Sequence, residues 1–98
     1  MPRKSLPLLA LALPLLLSAC AGAPTHPNEA HECASGLRTA YAELEQARAH
    51  GFQGTVEWTK AAGLLTAAKV QQQFGKYPNC INKVQRARYY IHQAQVPH

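Results

Sequence analysis

The sequence predicts an all-α fold for residues 29–98, a small up-down-up three-helix bundle, and three observations carry that expectation. Two stretches hold apolar residues at helical spacing: Cys33, Leu37, Ala40, Leu44 and Ala47 in one, and Cys80, Val84, Ala87, Ile91 and Ala94 in the other. Steps of four and three residues in alternation put each set on one face of an α-helix. The connections around Gly51–Gly54 and Gly75–Tyr77 are short, which makes successive helices antiparallel neighbours. Finally, Cys33 and Cys80 each occupy the first core position of their stretch. In an up-down-up bundle the first and third helices are parallel, so both thiols fall in one layer and point inward. That geometry predicts a Cys33–Cys80 disulfide.

The first helix is expected from about Glu29 to Ala49. Asn28 suits its N-cap, Glu29 and Glu32 suit the positive end of its dipole, and Gly51 suits its stop. The second is expected from Val56 to Phe74, with Thr55 as N-cap and Gly75 past the end. Trp58, Ala61, Ala62, Leu65 and Ala68 line one side of it, and Leu64, Ala67 and Val70 widen the stripe. A stripe so broad suits a helix that touches two neighbours. The third helix is expected to begin at Pro78, since proline is tolerated in a first turn, and to end before Pro97.

The chain ahead of the bundle reads differently. Arg3 and Lys4 precede an apolar run from Leu6 to Leu17, and small residues follow at Ser18 and Ala19. A basic start, a short apolar core and small residues before a cut site predict a secretory leader over residues 1–19. Leu6 to Ala19 is 14 residues, interrupted by Pro7 and Pro14, whereas an uncleaved span needs about 20. Residues 20–28, with Gly22, Pro24 and Pro27, read as a lipidated cysteine and linker.

The tetrapeptide Leu17-Ser18-Ala19-Cys20 resembles the lipobox of bacterial lipoproteins at every position. The resemblance covers the first twenty residues. It implies that Cys20 receives a diacylglycerol, that a peptidase cuts just before it, and that the new amine is acylated. Two or three acyl chains anchor stably, because each buried methylene adds about 0.8 kcal/mol. In enteric bacteria an Asp after the cysteine retains such proteins in the inner membrane. Ala21 stands there in this chain, which implies the outer membrane with the body in the periplasm.

Lipidation also settles the cysteine count. Three cysteines leave an odd thiol, but acylation of Cys20 leaves Cys33 and Cys80 as a pair in an oxidising compartment. A body of about 70 residues gains only about 3–5 kcal/mol from its core, so a covalent link is a physical advantage. Closing the loop from Cys33 to Cys80 adds about 4 kcal/mol on the chain-entropy account. A redox-active thiol at a helix start is the other reading, and the chain has no Cys-x-x-Cys to support it.

The stretch Gly75-Lys76-Tyr77-Pro78-Asn79-Cys80, followed by Val84 and Ala87, resembles the turn and second helix of a tetratricopeptide repeat. Leu64 and Ala68 fall where the first helix of that repeat has Trp and a small residue, whereas Gln71 departs from its usual aromatic. One repeat at most is covered, and stacked repeats need about three copies. The resemblance implies a helical hairpin and carries no peptide-binding residues over. The chain also resembles the small alanine-rich helical lipoproteins of Gram-negative envelopes.

Composition narrows the chemistry. The chain has no Asp, which excludes a Ser-His-Asp triad and paired aspartates. Glu43 and Glu45 are two apart on a helix and point to different sides. No enzyme and no cofactor are expected. The five histidines (His26, His31, His50, His92 and His98) are scattered, and no spacing matches a zinc motif. His26, His31 and Cys33 could hold a soft metal only if Cys33 were free, so no metal site is expected. From Cys20 onward eight Lys/Arg face five Glu, about +3 by that count. That favours anionic surfaces without reaching the charge of a nucleic-acid binder, a role that export also opposes.

These observations predict a membrane-anchored, non-catalytic accessory or adaptor of the bacterial envelope, with an envelope protein as partner. The alternative is a ligand-binding or inhibitor module for an anionic partner. Its face would be Lys83, Arg86 and Tyr90 on the third helix, with Gln93 and Asn79 in line and Lys76, Arg88 and Tyr89 nearby. Solvated helix faces carry such residues too. An apolar pocket lined by Trp58 would instead favour a small-molecule binder.

Overall fold

The computed structural model describes residues 27–97. The leader, the lipobox with Cys20, and His26 and His98 lie outside the described residues. Three helices follow one another: α1 (Pro27–Ala49), α2 (Val56–Gln73) and α3 (Tyr77–Gln95), with a 3-10 turn over Phe52–Gly54 between the first two. No strand occurs among the described residues, and all three helices pack on one another. The fold is an all-α three-helix bundle.

Helix ends follow local chemistry. α1 starts two residues earlier than the caps suggested, with Pro27 in the first helical position and Asn28 inside the first turn. Proline's fixed φ is already helical, and its missing N–H is one that a first turn leaves unbonded anyway. Gly51 stops α1 at φ 89°, a left-handed conformation that glycine takes without a Cβ penalty. Thr55 caps α2 as expected: its hydroxyl accepts from the Trp58 N–H at 3.1 Å and donates to the Phe52 carbonyl at 2.8 Å. α2 ends at Gln73, with Phe74 as its C-cap. Gly75 follows at φ 72°, its N–H bonded to the Gln72 carbonyl at 3.0 Å, and Lys76 N–H reaches back to Gln71 at 2.9 Å. Those two bonds form a Schellman motif, which turns the chain into α3 within a few residues. α3 begins at Tyr77, one residue before the expected Pro78.

The buried stripes of α1 and α3 are the ones read from spacing: Cys33, Leu37, Ala40, Leu44, Ala47 and Cys80, Val84, Ala87, Ile91, Ala94. α2 buries only Ala61, Leu65 and Ala68 fully. Trp58, Ala62 and Leu64 pack at the core's edge, and Val70 is exposed. The anticipated breadth of the α2 stripe is therefore real toward both neighbours and does not extend to Val70.

Pair contacts fix the topology. Cys33 is disulfide-bonded to Cys80, a Cβ at Gly36 would stand 3.2 Å from Val84, and Glu43 meets Arg88. Numbers rise together in these pairs, so α1 and α3 run parallel. Lys60 pairs with Tyr90 and Gln71 with Asn79, so α2 and α3 are antiparallel. All buried side chains of the described residues lie between Cys33 and Ala94, so this segment carries its own core and its own covalent link.

Candidate functional site

Cys33 and Cys80 are fully buried and joined, with Cα atoms 5.7 Å apart. This spacing is ordinary for a disulfide. The parallel course of α1 and α3 brings the two residues to one layer, as their shared first core position foretold. The bond also removes Cys33 from any thiolate site with His31, which is exposed. No group of three His, Cys, Asp or Glu residues among the described residues is placed to hold a metal.

The three residues expected to form a binding face on α3 separate in character. Tyr90 is half-buried against the core, where Lys60 of α2 lies over its ring at 5.2 Å from the centroid. Tyr89 meets the same ring edge-on at 5.4 Å. Contacts of both kinds stabilise by about 0.5–1 kcal/mol. Tyr90 thus has a packing role in addition to any surface role. Lys83 is half-buried on the α2 side of α3, and Arg86 is exposed. Arg88, counted with this face from sequence, turns the other way. Its guanidinium donates twice to Glu43 of α1, at 2.8 and 3.0 Å. The bond to Glu43, with the carboxylate's charge second, holds the Arg88 guanidinium above its ordinary pKa. Glu45 does the same for Arg48 within α1, by hydrogen bond first and charge second. A raised pKa means the contribution is fully present below the ordinary guanidinium range and lost only at more alkaline pH.

Trp58 closes rather than opens a site. Its indole N–H donates to the Leu44 carbonyl at 3.0 Å, so the ring ties the start of α2 to the end of α1. Two grooves of the described residues lie elsewhere. One, about 230 Å³, runs between α1 and α3 past Ser35, Gly36, Thr39, Gln85 and Arg88. The other, about 340 Å³, lies between α1 and α2, where Lys69 stands 5.9 Å from the ring centroid of Tyr41, beside Arg38 and Gln72. Both are open, and Glu32 and Arg88 are the charged groups that line the first. Lys60 and Lys69 escaped the sequence reading. Each stacks on an aromatic ring of another helix, and only the interhelical register reveals that.

The charge distribution is the site's most distinctive property. α1 holds Glu29, Glu32, Glu43 and Glu45 against Arg38 and Arg48. The α2–α3 hairpin holds Lys60, Lys69, Lys76, Lys83, Arg86 and Arg88 against Glu57 alone. The exposed large apolar residues, Val56, Val70, Phe74, Tyr89 and Val96, all lie on the hairpin or its cap. No helix among the described residues is long and apolar enough to cross a membrane. No known protein family matches the chain, and neither the curated proteins nor the solved structures contain a match to it.

Proposed function

We propose that this chain is a lipid-anchored protein of the bacterial envelope whose helical body is a non-catalytic accessory or adaptor. The leader and Leu17-Ser18-Ala19-Cys20 supply the anchoring signal. The observation that carries the reading within the described residues is the buried Cys33–Cys80 disulfide. Such bonds persist in exported proteins and are rare in the reducing cytosol. Acylation of Cys20 is what leaves these two cysteines as a complete pair. Ala21 favours the outer membrane, with the body in the periplasm, and an envelope protein is the expected partner.

Intact mass of the protein from native membranes, before and after reduction and alkylation, tests this directly. The expected species begins at Cys20, carries acyl chains, and shows two thiols only after reduction. A full-length unacylated mass would remove the anchor, and free Cys33 and Cys80 before reduction would remove the argument from compartment.

A second reading has its own support: a basic face around Lys83, Arg86 and Tyr90 that receives an anionic partner. α3 contains no acid, and neither Lys83 nor Arg86 meets a carboxylate among the described residues. Reversing both charges should abolish such binding while leaving helicity by circular dichroism unchanged.

A further inference from the structure

α2 is apolar or uncharged on both its inner and its outer side. Taking 100° per residue from the buried Ala61, Leu65 and Ala68, the far side of the helix carries Val56, Thr59, Gly63, Val70 and Phe74, with Thr66 at its margin. Val56 is 65% and Phe74 73% exposed, and a Cβ at Gly63 would meet nothing within 4 Å. Exposed apolar groups gathered on one side of a helix, rather than scattered, mark a surface that meets a partner or a membrane. The adjoining outer side of α3 adds Tyr89, 59% exposed, and Arg86. Lys60 and Lys83 flank the seam between the two helices, and the one acid of the hairpin, Glu57, sits at the start of α2. The hairpin's outward face is therefore apolar and basic together, while α1 on the opposite side keeps the carboxylates.

We infer that this outward face of the α2–α3 hairpin lies flat on an anionic phospholipid surface, with Phe74 and Tyr89 at the headgroup level and Lys60, Lys83 and Arg86 over the phosphates. Charge complementarity selects an anionic occupant, and the exposed rings and valines select one with an apolar interior. Aromatic rings and long basic side chains are the groups that suit that boundary. Position supports the same occupant. The inference rests on the anchored reading for the nearness of the bilayer. Cys20 lies seven residues before Pro27, at most about 25 Å of extended chain. α1 begins at the end of the bundle where Phe74 and Lys76 turn the chain, because the disulfide holds the starts of α1 and α3 together. A lipid on Cys20 would thus hold Phe74 within reach of the same leaflet.

The test uses the leaderless body, residues 21–98, which retains the whole described core and its disulfide and carries no lipid. It is sedimented with neutral phosphatidylcholine vesicles and with vesicles about one-third phosphatidylglycerol. Expected is binding to the anionic vesicles alone, lost as salt rises to about 0.5 M. Lys83→Glu with Arg86→Glu should lower partitioning at least about tenfold, and Phe74→Ser about tenfold by itself, with circular dichroism unchanged. Lys83→Gln with Arg86→Gln is the milder variant if the reversed charges perturb folding. Equal binding to both vesicle types, no binding, or binding indifferent to these substitutions would each overturn the inference. Retention of the body on immobilised polyglutamate in place of vesicles would also overturn it, in favour of an acidic protein. Intact mass from native membranes is independent of these outcomes. Acylated protein with a body that ignores vesicles leaves the anchor and sinks the flat orientation, and an unacylated protein whose body binds them does the reverse.

Discussion

Two glycines inside helices have opposite surroundings, and a Cβ tells them apart. At Gly63 an added methyl meets open space, so only the backbone cost of glycine remains. Gly63→Ala is expected to stabilise the bundle by about 0.5–1 kcal/mol, read as a rise in thermal midpoint of a few degrees. At Gly36 the methyl would come to 3.2 Å from a Val84 methyl, across the packed α1–α3 contact. Gly36→Ala gains the same propensity and must displace Val84, so its midpoint should fall short of that of Gly63→Ala. Equal gains would mean that the α1–α3 contact yields freely. Thr55 is a third informative residue, because its hydroxyl satisfies the Trp58 N–H and holds the Phe52 carbonyl. Thr55→Ala should cost about 1 kcal/mol in urea unfolding, and Thr55→Ser most of that less. The caps of α2 were legible because threonine and glycine act on their own backbone. The α1 start was misplaced by two residues because Pro27 and Asn28 both suit a helix entry, and local chemistry does not rank them.

Single-helix periodicity reaches only as far as one helix. The stripes of α1 and α3 were readable because each buries one narrow face, and every apolar residue of the pattern falls on it. α2 was harder, since Leu64 and Trp58 both pack at the core's edge, Trp58 bonded to α1, whereas Val70 is exposed. What joins helices is register, which explains why the Lys60–Tyr90 and Lys69–Tyr41 stacks and the turn of Arg88 toward Glu43 were not foreseen. The disulfide was foreseen because a parallel register follows from two short connections. Its contribution should be large for so small a core, in which alanine fills many of the buried positions. The bond closes a separation of 47 residues, worth about 4 kcal/mol on the chain-entropy account. Since the core alone gives about 3–5 kcal/mol, reduction should leave the body folded in water with roughly half of its stability. Denaturant titration with and without a reductant measures this. A midpoint shift equivalent to under about 1 kcal/mol would mean that the reduced chain retains the α2–α3 hairpin, which has its own turn and cap.

At the scale of the molecule, placement of charge should matter more than its sum. The bundle opposes an acidic α1 to a basic hairpin, and an exposed ion pair crosses that divide among the described residues. Arg88 and Glu43 form it, with side chains 47% and 31% exposed, so solvent screens most of its attraction. Replacing both by Gln keeps the net charge and is expected to lower stability by less than about 1 kcal/mol. It should leave vesicle binding where it was, because both side chains sit at the α1–α3 boundary, away from the hairpin's outer face. Lys83→Gln with Glu45→Gln also keeps the net charge, yet it takes a cation from that face and a carboxylate from exposed α1. If the face is what meets phosphate, this variant should bind anionic vesicles about fivefold more weakly, since each surface cation contributes about 1 kcal/mol there. The two charge-neutral variants therefore separate a field summed over the molecule from a surface that makes contact. Equal binding by both would show that only net charge attracts the body to the membrane, with no preferred side. A loss confined to the Lys83 variant would show that the asymmetry between α1 and the hairpin orients the bundle.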